Sequence, residues 1–174
     1  LPHDYGNLRA ALKARLLGME ASELSPLGSL PADAYSGDGA SLPEELRGLL
    51  TMYDEAEEAP ALDDVEAGID RAMFGALAAA AKASKVPFLR ELATLRIDLA
   101  NARLLIRARA KGLRPAAVGA RIIPGGSKKL AAIADDLSGM AAADLADAIL
   151  KTRALGRAHE ADLVDVERFD MMAD

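Results

Sequence analysis

Two pairs of residues in this sequence have types and spacing suited to chemistry: Asp4 with Asn7, and Asp98 with Asn101. In a helix, an i, i+3 step puts both side chains on one face. A carboxylate beside a carboxamide offers acceptors and donors together. Such a pair either locks the register of one helix on another through hydrogen bonds or lines a pocket. The other candidates fail on spacing. Pro124-Gly125-Gly126-Ser127-Lys128-Lys129 has the residue types of a phosphate loop. That loop needs Gly-Lys-Ser/Thr after a strand, whereas here Ser precedes Lys and the preceding element reads as helical. Gly125 and Gly126 read instead as a turn before a helix. His3 and His159, the two histidines, have no partner at metal-ligand spacing. Asp63-Asp64 and Asp135-Asp136 fall near expected helix starts, where carboxylates favour the helix dipole. No cysteine is present, which excludes disulfides and thiolate metal sites. No catalytic, cofactor-binding or metal-ligating residue is identified.

The elements that must position the two pairs are helices. The 174 residues are 51% hydrophobic yet hold three Phe, three Tyr and no Trp, so the core must come from Ala, Leu, Ile, Val and Met. Ala and Leu are strong helix formers, and alternating β-branched runs are nearly absent. An all-α fold is expected. The spacing predicts helices over 3–19, 43–57, 63–83, 87–111, 127–138, 141–155 and 159–172, with a loop at 24–43. In the helix at 87–111, Phe88, Leu92, Leu95, Leu99, Ala102 and Ile106 form one apolar seam. Ile97, Ala100, Leu104 and Ala108 form a second, with Arg96, Arg103 and Arg107 on one flank. A helix apolar on two sides is expected to sit between neighbours.

The first helix and the long one are versions of the same sequence. Asp4, Asn7 and Arg9 reappear as Asp98, Asn101 and Arg103, 94 residues later, and Gly18 matches Gly112. Leu30-Pro31 and Ile123-Pro124 follow, out of register by one residue. Leu62 to Glu66 weakly echoes Leu163 to Glu167. A repeat this long implies helical modules stacked or arranged around an axis. Its phase suggests a fragment: the end of one module at 1–43, a whole module at 44–157 and the start of another at 158–174.

Charge is uneven. Residues 44–70 hold ten acidic side chains and one base, Arg47, while 85–129 hold eleven Lys or Arg against Glu91 and Asp98. These are either two solvated faces of opposite sign or two docking surfaces. The formal net charge of −6 argues against a general nucleic-acid binder. No apolar stretch reaches the length that crosses a bilayer.

The run from His3 to Arg15 resembles the characteristic segment of the AC39 family, a family of central-stalk proteins of V/A-type ATPases. So do Phe88-Leu89-Arg90-Glu91 leading into Ile97 to Asn101, and the turn Ile123-Pro124-Gly125-Gly126. The likeness holds from residue 3 to about 126; beyond it, Val166 to Asp170 is similar to the start of the family's third module. The resemblance implies three helical modules around a pseudo-threefold axis, forming a funnel. The family's first module and C-terminal motif have no counterpart here, and Ala102 stands where Leu is usual. The resemblance further implies a non-catalytic rotor connector in the central stalk of an ion-transporting or ATP-synthesising complex. Its partners would be the rotating shaft and the membrane proteolipid ring, and its place the cytoplasmic face of the membrane, reached only through those proteins. The Asp-Asn pairs are then either structural locks or a pocket facing the shaft. The competing reading is a helical-repeat adaptor unrelated to rotary ATPases.

Overall fold

The structure, a computed structural model, describes residues 2–19, 24–36, 39–56, 58 and 60–151. Among them are seven α-helices and no strand, so the chain is all-α. They are α1 (Pro2–Leu16), α2 (Glu44–Asp54), α3 (Leu62–Ala83), α4 (Pro87–Ala110), α5 (Pro115–Gly119), α6 (Lys128–Asp136) and α7 (Ala142–Leu150). The expected helix at 159–172, the third-module likeness and the echo at 163–167 lie outside the described residues. The short helix α5 is additional to the expected set; Pro115 at its first turn pre-sets the helical φ, and five residues are too few to show a period. Asp135 and Asp136 close α6 rather than open a helix, so the dipole does not explain that pair.

The chain forms two compact units, residues 1–73 and 74–174, with α3 contributing its first half to one and its second half to the other. In the first unit α1 packs on α2 and on a single 3₁₀ turn, Ala32–Tyr35. Tyr5, Leu8, Leu12, Tyr35, Leu46 and Leu50 are buried there. Arg9 pairs with Asp70 and Lys13 with Glu66. Each base is four residues further along α1, and each acid four residues back along α3, so the two helix segments run antiparallel. Arg15 meets Asp54 of α2 at 2.5 Å. Three acids of the 44–70 run are thus engaged with bases of α1 rather than forming a free acidic face.

In the second unit α4 packs on α5, α6 and α7. Ala102, Leu105, Ile106, Val118, Leu130, Leu137, Leu145 and Ile149 build one core cluster. The buried face of α4 is Ala93, Ile97, Asp98, Asn101, Ala102, Leu105, Ile106 and Ala108. This corrects the expected seam. Phe88 is 67% exposed, and Leu92, Leu95 and Leu99 are only half-buried. The 4-3-4 spacing is real, but the two polar residues Asp98 and Asn101 turn the buried face about one residue round the helix.

Candidate functional site

Asp98 and Asn101 lie on the buried face of α4, and Asp4 and Asn7 on that of α1. All four are almost inaccessible to solvent. Their partners are not on a neighbouring helix, as a helix–helix lock would require. They are chiefly backbone groups of the loop that returns along the same helix, joined at Asp4 by the side chains of Ser29 and Tyr35.

Asn101 donates from Nδ2 to the carbonyl of Ile123 at 2.9 Å, and its Oδ1 accepts from the Ile123 N–H at 2.8 Å. Asn7 does the same to Ser25, donating at 3.1 Å and accepting at 2.7 Å. The carboxamide thereby satisfies both backbone groups of one buried or half-buried residue, which an isolated loop could not do. Four residues further on, the loop meets the aspartate. Ser127 N–H donates to Asp98 Oδ1 at 2.5 Å. Ser29 N–H donates to Asp4 Oδ1 at 2.7 Å, and its hydroxyl donates to Oδ2 at 2.9 Å.

Between the two bonded residues stands a glycine in each unit. A Cβ at Gly126 would fall 2.5 Å from Asp98 Oδ1 and 2.9 Å from Ile97 Cγ2. One at Gly28 would fall 3.0 Å from both Asp4 Oδ1 and Asn7 Nδ2. The loop backbone lies directly on the Asp-Asn pair: at Gly126 a Cβ would clash outright, and at Gly28 it would fit only if the neighbouring side chains gave way. The repeated loops are therefore Ser25-Pro26-Leu27-Gly28-Ser29 and Ile123-Pro124-Gly125-Gly126-Ser127. Their offset is 98 rather than 94, and this pairing replaces the match of Leu30-Pro31 to Ile123-Pro124. Pro26 corresponds to Pro124, and Leu27 to Gly125. Gly125 takes φ 97, whereas Leu27 is not in the left-handed region.

The helices agree beyond the lock. Both end in the same C-cap. Gly18 has φ 63 and Gly112 φ 62. Met19 N–H reaches Ala14 O at 2.8 Å, and Leu113 N–H reaches Ala108 O at 2.9 Å. These bonds belong to a glycine-closed Schellman motif. Arg9 and Arg103 both bury Nε without an acceptor for that atom, while their guanidinium groups engage elsewhere. After the loop, α2 packs on α1 as α7 packs on α4. Leu46 and Leu50 match Leu145 and Ile149, all buried.

The two locks are tuned differently. Burial pushes the Asp4 carboxyl up, Ser29's side-chain and backbone bonds pull it down, and the net shift is downward. Tyr35 also donates to Asp4 at 3.2 Å, and burial together with the Asp4 charge pushes its phenol up to about 12. Burial pushes Asp98 up as well, and there the single bond from Ser127 does not reverse it.

This arrangement holds a loop; it does not bind phosphate. The Ser127 N–H that would face a phosphate is spent on Asp98, and that carboxylate lies beneath Gly126, where a second anion would be repelled. Among the described residues no group of three or more His, Asp or Glu is placed to hold a metal. No described helix is long and apolar enough to cross a membrane.

Of the residues singled out by spacing and resemblance, Asp4, Asn7 and Arg9 lie on α1, where the two locking side chains meet Ser25, Gly28, Ser29 and Tyr35. Asp98, Asn101 and Arg103 lie on α4, and Asp98 and Asn101 meet the turn of Pro124, Gly125 and Gly126. Ser25, Gly28, Ser29 and Tyr35 are site residues that spacing did not reveal. A signal for two of them, Gly28 and Ser29, exists: Pro-x-Gly-Ser occurs in both loops, hidden by the four-residue change of offset.

The family model for the ATP synthase (C/AC39) subunit matches residues 1–169. The chain belongs to that family. Its members are subunits of V/A-type ATPases, a class that fits a structural role for this chain. The two turns gripped by Asp-Asn pairs lie within the matched region. No curated protein and no solved structure matches the chain.

Proposed function

We propose that the parent of this chain is the non-catalytic rotor connector of a V/A-type ATPase. It links the rotating shaft to the membrane proteolipid ring on the cytoplasmic face and passes torque between them. Family membership supplies the class of complex. The observation that carries the mechanical role is the duplicated lock: each unit ties a long helix to its own return loop through a carboxamide, a carboxylate and a glycine contact. A torque-bearing part needs stiffness, and buried, fully bonded polar networks resist deformation because every bond lost leaves a desolvated group. The partition into the end of one module, a whole module and the start of another belongs to the same proposal, with its first boundary after α2 and not at 43, because α2 packs on α1 and matches α7.

The test is a pull-down of the full-length protein with purified shaft and ring proteins, each separately. Binding to both is expected. A folded protein that binds neither would return the assignment to a generic helical adaptor. The chain is also expected not to bind Mg-ATP; micromolar binding in a calorimetric titration, lost on substitution at Ser127, would overturn the non-catalytic reading.

A further inference from the structure

The start of α3 is seated on α1 through two pairs of opposite charge. Arg9 meets Asp70, and Lys13 meets Glu66. Val65 and Ile69, the residues just before those acids, are fully buried. The helix α1 has a second version in α4, where Arg103 and Arg107 stand for Arg9 and Lys13 at the offset of 94. Arg9 and Arg103 also lie alike on their helices. Both are half-buried, with Nε enclosed and the guanidinium engaged elsewhere. The bases that hold α3 are therefore repeated.

The acids recur as well. The offset between equivalent residues grows along the chain. It is 94 for the long helices, 98 for the gripped loops and 99 for α2 and α7, where Leu46 and Leu50 match Leu145 and Ile149. The likeness of Asp64-Val65-Glu66 to Asp165-Val166-Glu167, at 101, continues that series. A repeat whose connections lengthen while the order of elements is kept gives this progression. Phe169-Asp170 then stands for Ile69-Asp70, one residue closer to its glutamate. Spacings of three and of four both put two acids on one side of a helix. The stretch from Ile149 to Val166 is two residues longer than that from Leu50 to Val65, so the chain can reach the equivalent place. Charge agrees: residues 160–174 hold six acids and one base, Arg168, as the acid-rich run that docks on α1 holds only Arg47.

We propose that residues 163–170, which lie outside the described residues, seat on α4 as the start of α3 seats on α1. Glu167 pairs with Arg107 and Asp170 with Arg103, and Val166 and Phe169 take the places of Val65 and Ile69. The arginine stripe of α4 is then the receiving face for a later segment of the same chain. It is neither a solvated flank nor a strip for another protein. Tandem repeats stack by contacts of this type, each unit covering its neighbour. The docking rests on the repeat and not on the rotor assignment, so a failed pull-down leaves it standing.

Carbodiimide coupling of the full chain tests this, because the reagent joins a lysine amine to a carboxylate held against it. Arg107→Lys supplies the amine, and Lys13 with Glu66 is the standard within the same molecule. Peptide mass mapping of the monomer is expected to find a link between positions 107 and 167 beside the link between 13 and 66. The 13–66 link without the 107–167 link would overturn the proposal, and so would a link from position 107 to another carboxylate. Chymotryptic cleavage after Phe169 gives a second reading. Arg103→Glu/Arg107→Glu should speed that cleavage about tenfold, since cleavage of a seated segment follows the fraction that is unseated. Unchanged far-UV circular dichroism keeps loss of seating apart from unfolding. Combining those changes with Glu167→Arg/Asp170→Arg should slow cleavage relative to Glu167→Arg/Asp170→Arg alone, which has the same cleavage sequence. Unaltered cleavage in the first variant, or no slowing in the combination, would also overturn the docking.

Discussion

Asn101 copies a backbone partner for Ile123: one carboxamide gives and takes both hydrogen bonds of a single buried residue, at 2.9 and 2.8 Å. Removing it leaves an N–H and a C=O desolvated together. Asn101→Ala is expected to cost about 2–6 kcal/mol, at about 1–3 for each of the two buried orphan groups. Asn7→Ala should cost less, because Ser25 is only half-buried and water can reach the freed groups. Urea denaturation of the two variants measures both, and equal losses would contradict the difference in burial.

Gly126→Ala tests how closely the loop is seated. The added methyl would fall 2.5 Å from Asp98 Oδ1 and 2.9 Å from Ile97 Cγ2, so the loop must lift off the helix. Overpacking of this kind costs about 1–3 kcal/mol and here also stretches the Ser127–Asp98 bond. Gly28→Ala meets its neighbours at 3.0 Å and should fall lower in the same range. Thermal denaturation with Gly126→Ala no less stable than Gly28→Ala would show that the loop gives way freely.

The helical class and most helix bounds are legible in the sequence because Ala- and Leu-rich segments end at Gly18, Pro87, Gly112 and Pro115. The repeat is legible in the helices, where Asp4-Asn7-Arg9 and Asp98-Asn101-Arg103 keep one offset. The loops are not, because residues 17–24 correspond to 111–122, four residues longer. A fixed offset then favours Leu30-Pro31, although Ser25-Pro26 is the bonded step. The face of α4 is obscured for a different reason. Hydrophobic spacing counts Phe88 and Leu92 as core, but which residues are buried depends on where the loop docks, and Asp98 and Asn101 decide that.

The buried face of α4 can be tested directly. Leu105 is fully buried in the core of the second unit, so Leu105→Ala should cost about 2–5 kcal/mol. Phe88→Ser, on an exposed position, should stay within about 0.5 kcal/mol of wild type. Urea midpoints of the two variants make the comparison. If Phe88→Ser destabilised as strongly as Leu105→Ala, the seam through Phe88 would be the buried one and the described face of α4 would be wrong.

Acid should act on the two locks in opposite directions. Although burial alone would raise it, Asp4 ionises more readily in the folded chain than at its ordinary value of 3.8, because both Ser29 bonds favour the charged form. Its folded state therefore holds fewer protons than the unfolded one. The stability it contributes is fully present above 3.8 and is lost as pH falls through the depressed folded value. Asp98 is held above 3.8 by burial, so its folded state holds more protons than the unfolded one. Its ionisation works against folding at neutral pH, and that penalty is relieved as pH falls from its raised folded value toward 3.8. Asp4→Asn should accordingly destabilise the protein at pH 7, with the difference from wild type shrinking below about pH 4. Asp98→Asn keeps an acceptor for Ser127 N–H and removes the buried charge. It should leave stability at about pH 7 unchanged or raised, and the protein should lose the relief that wild type gains on acidification. Urea midpoints of wild type and both variants, taken between about pH 3 and 7, provide the measurement. Parallel pH profiles for the two variants would mean that the locks are electrostatically alike, against the different partners that Asp4 and Asp98 have.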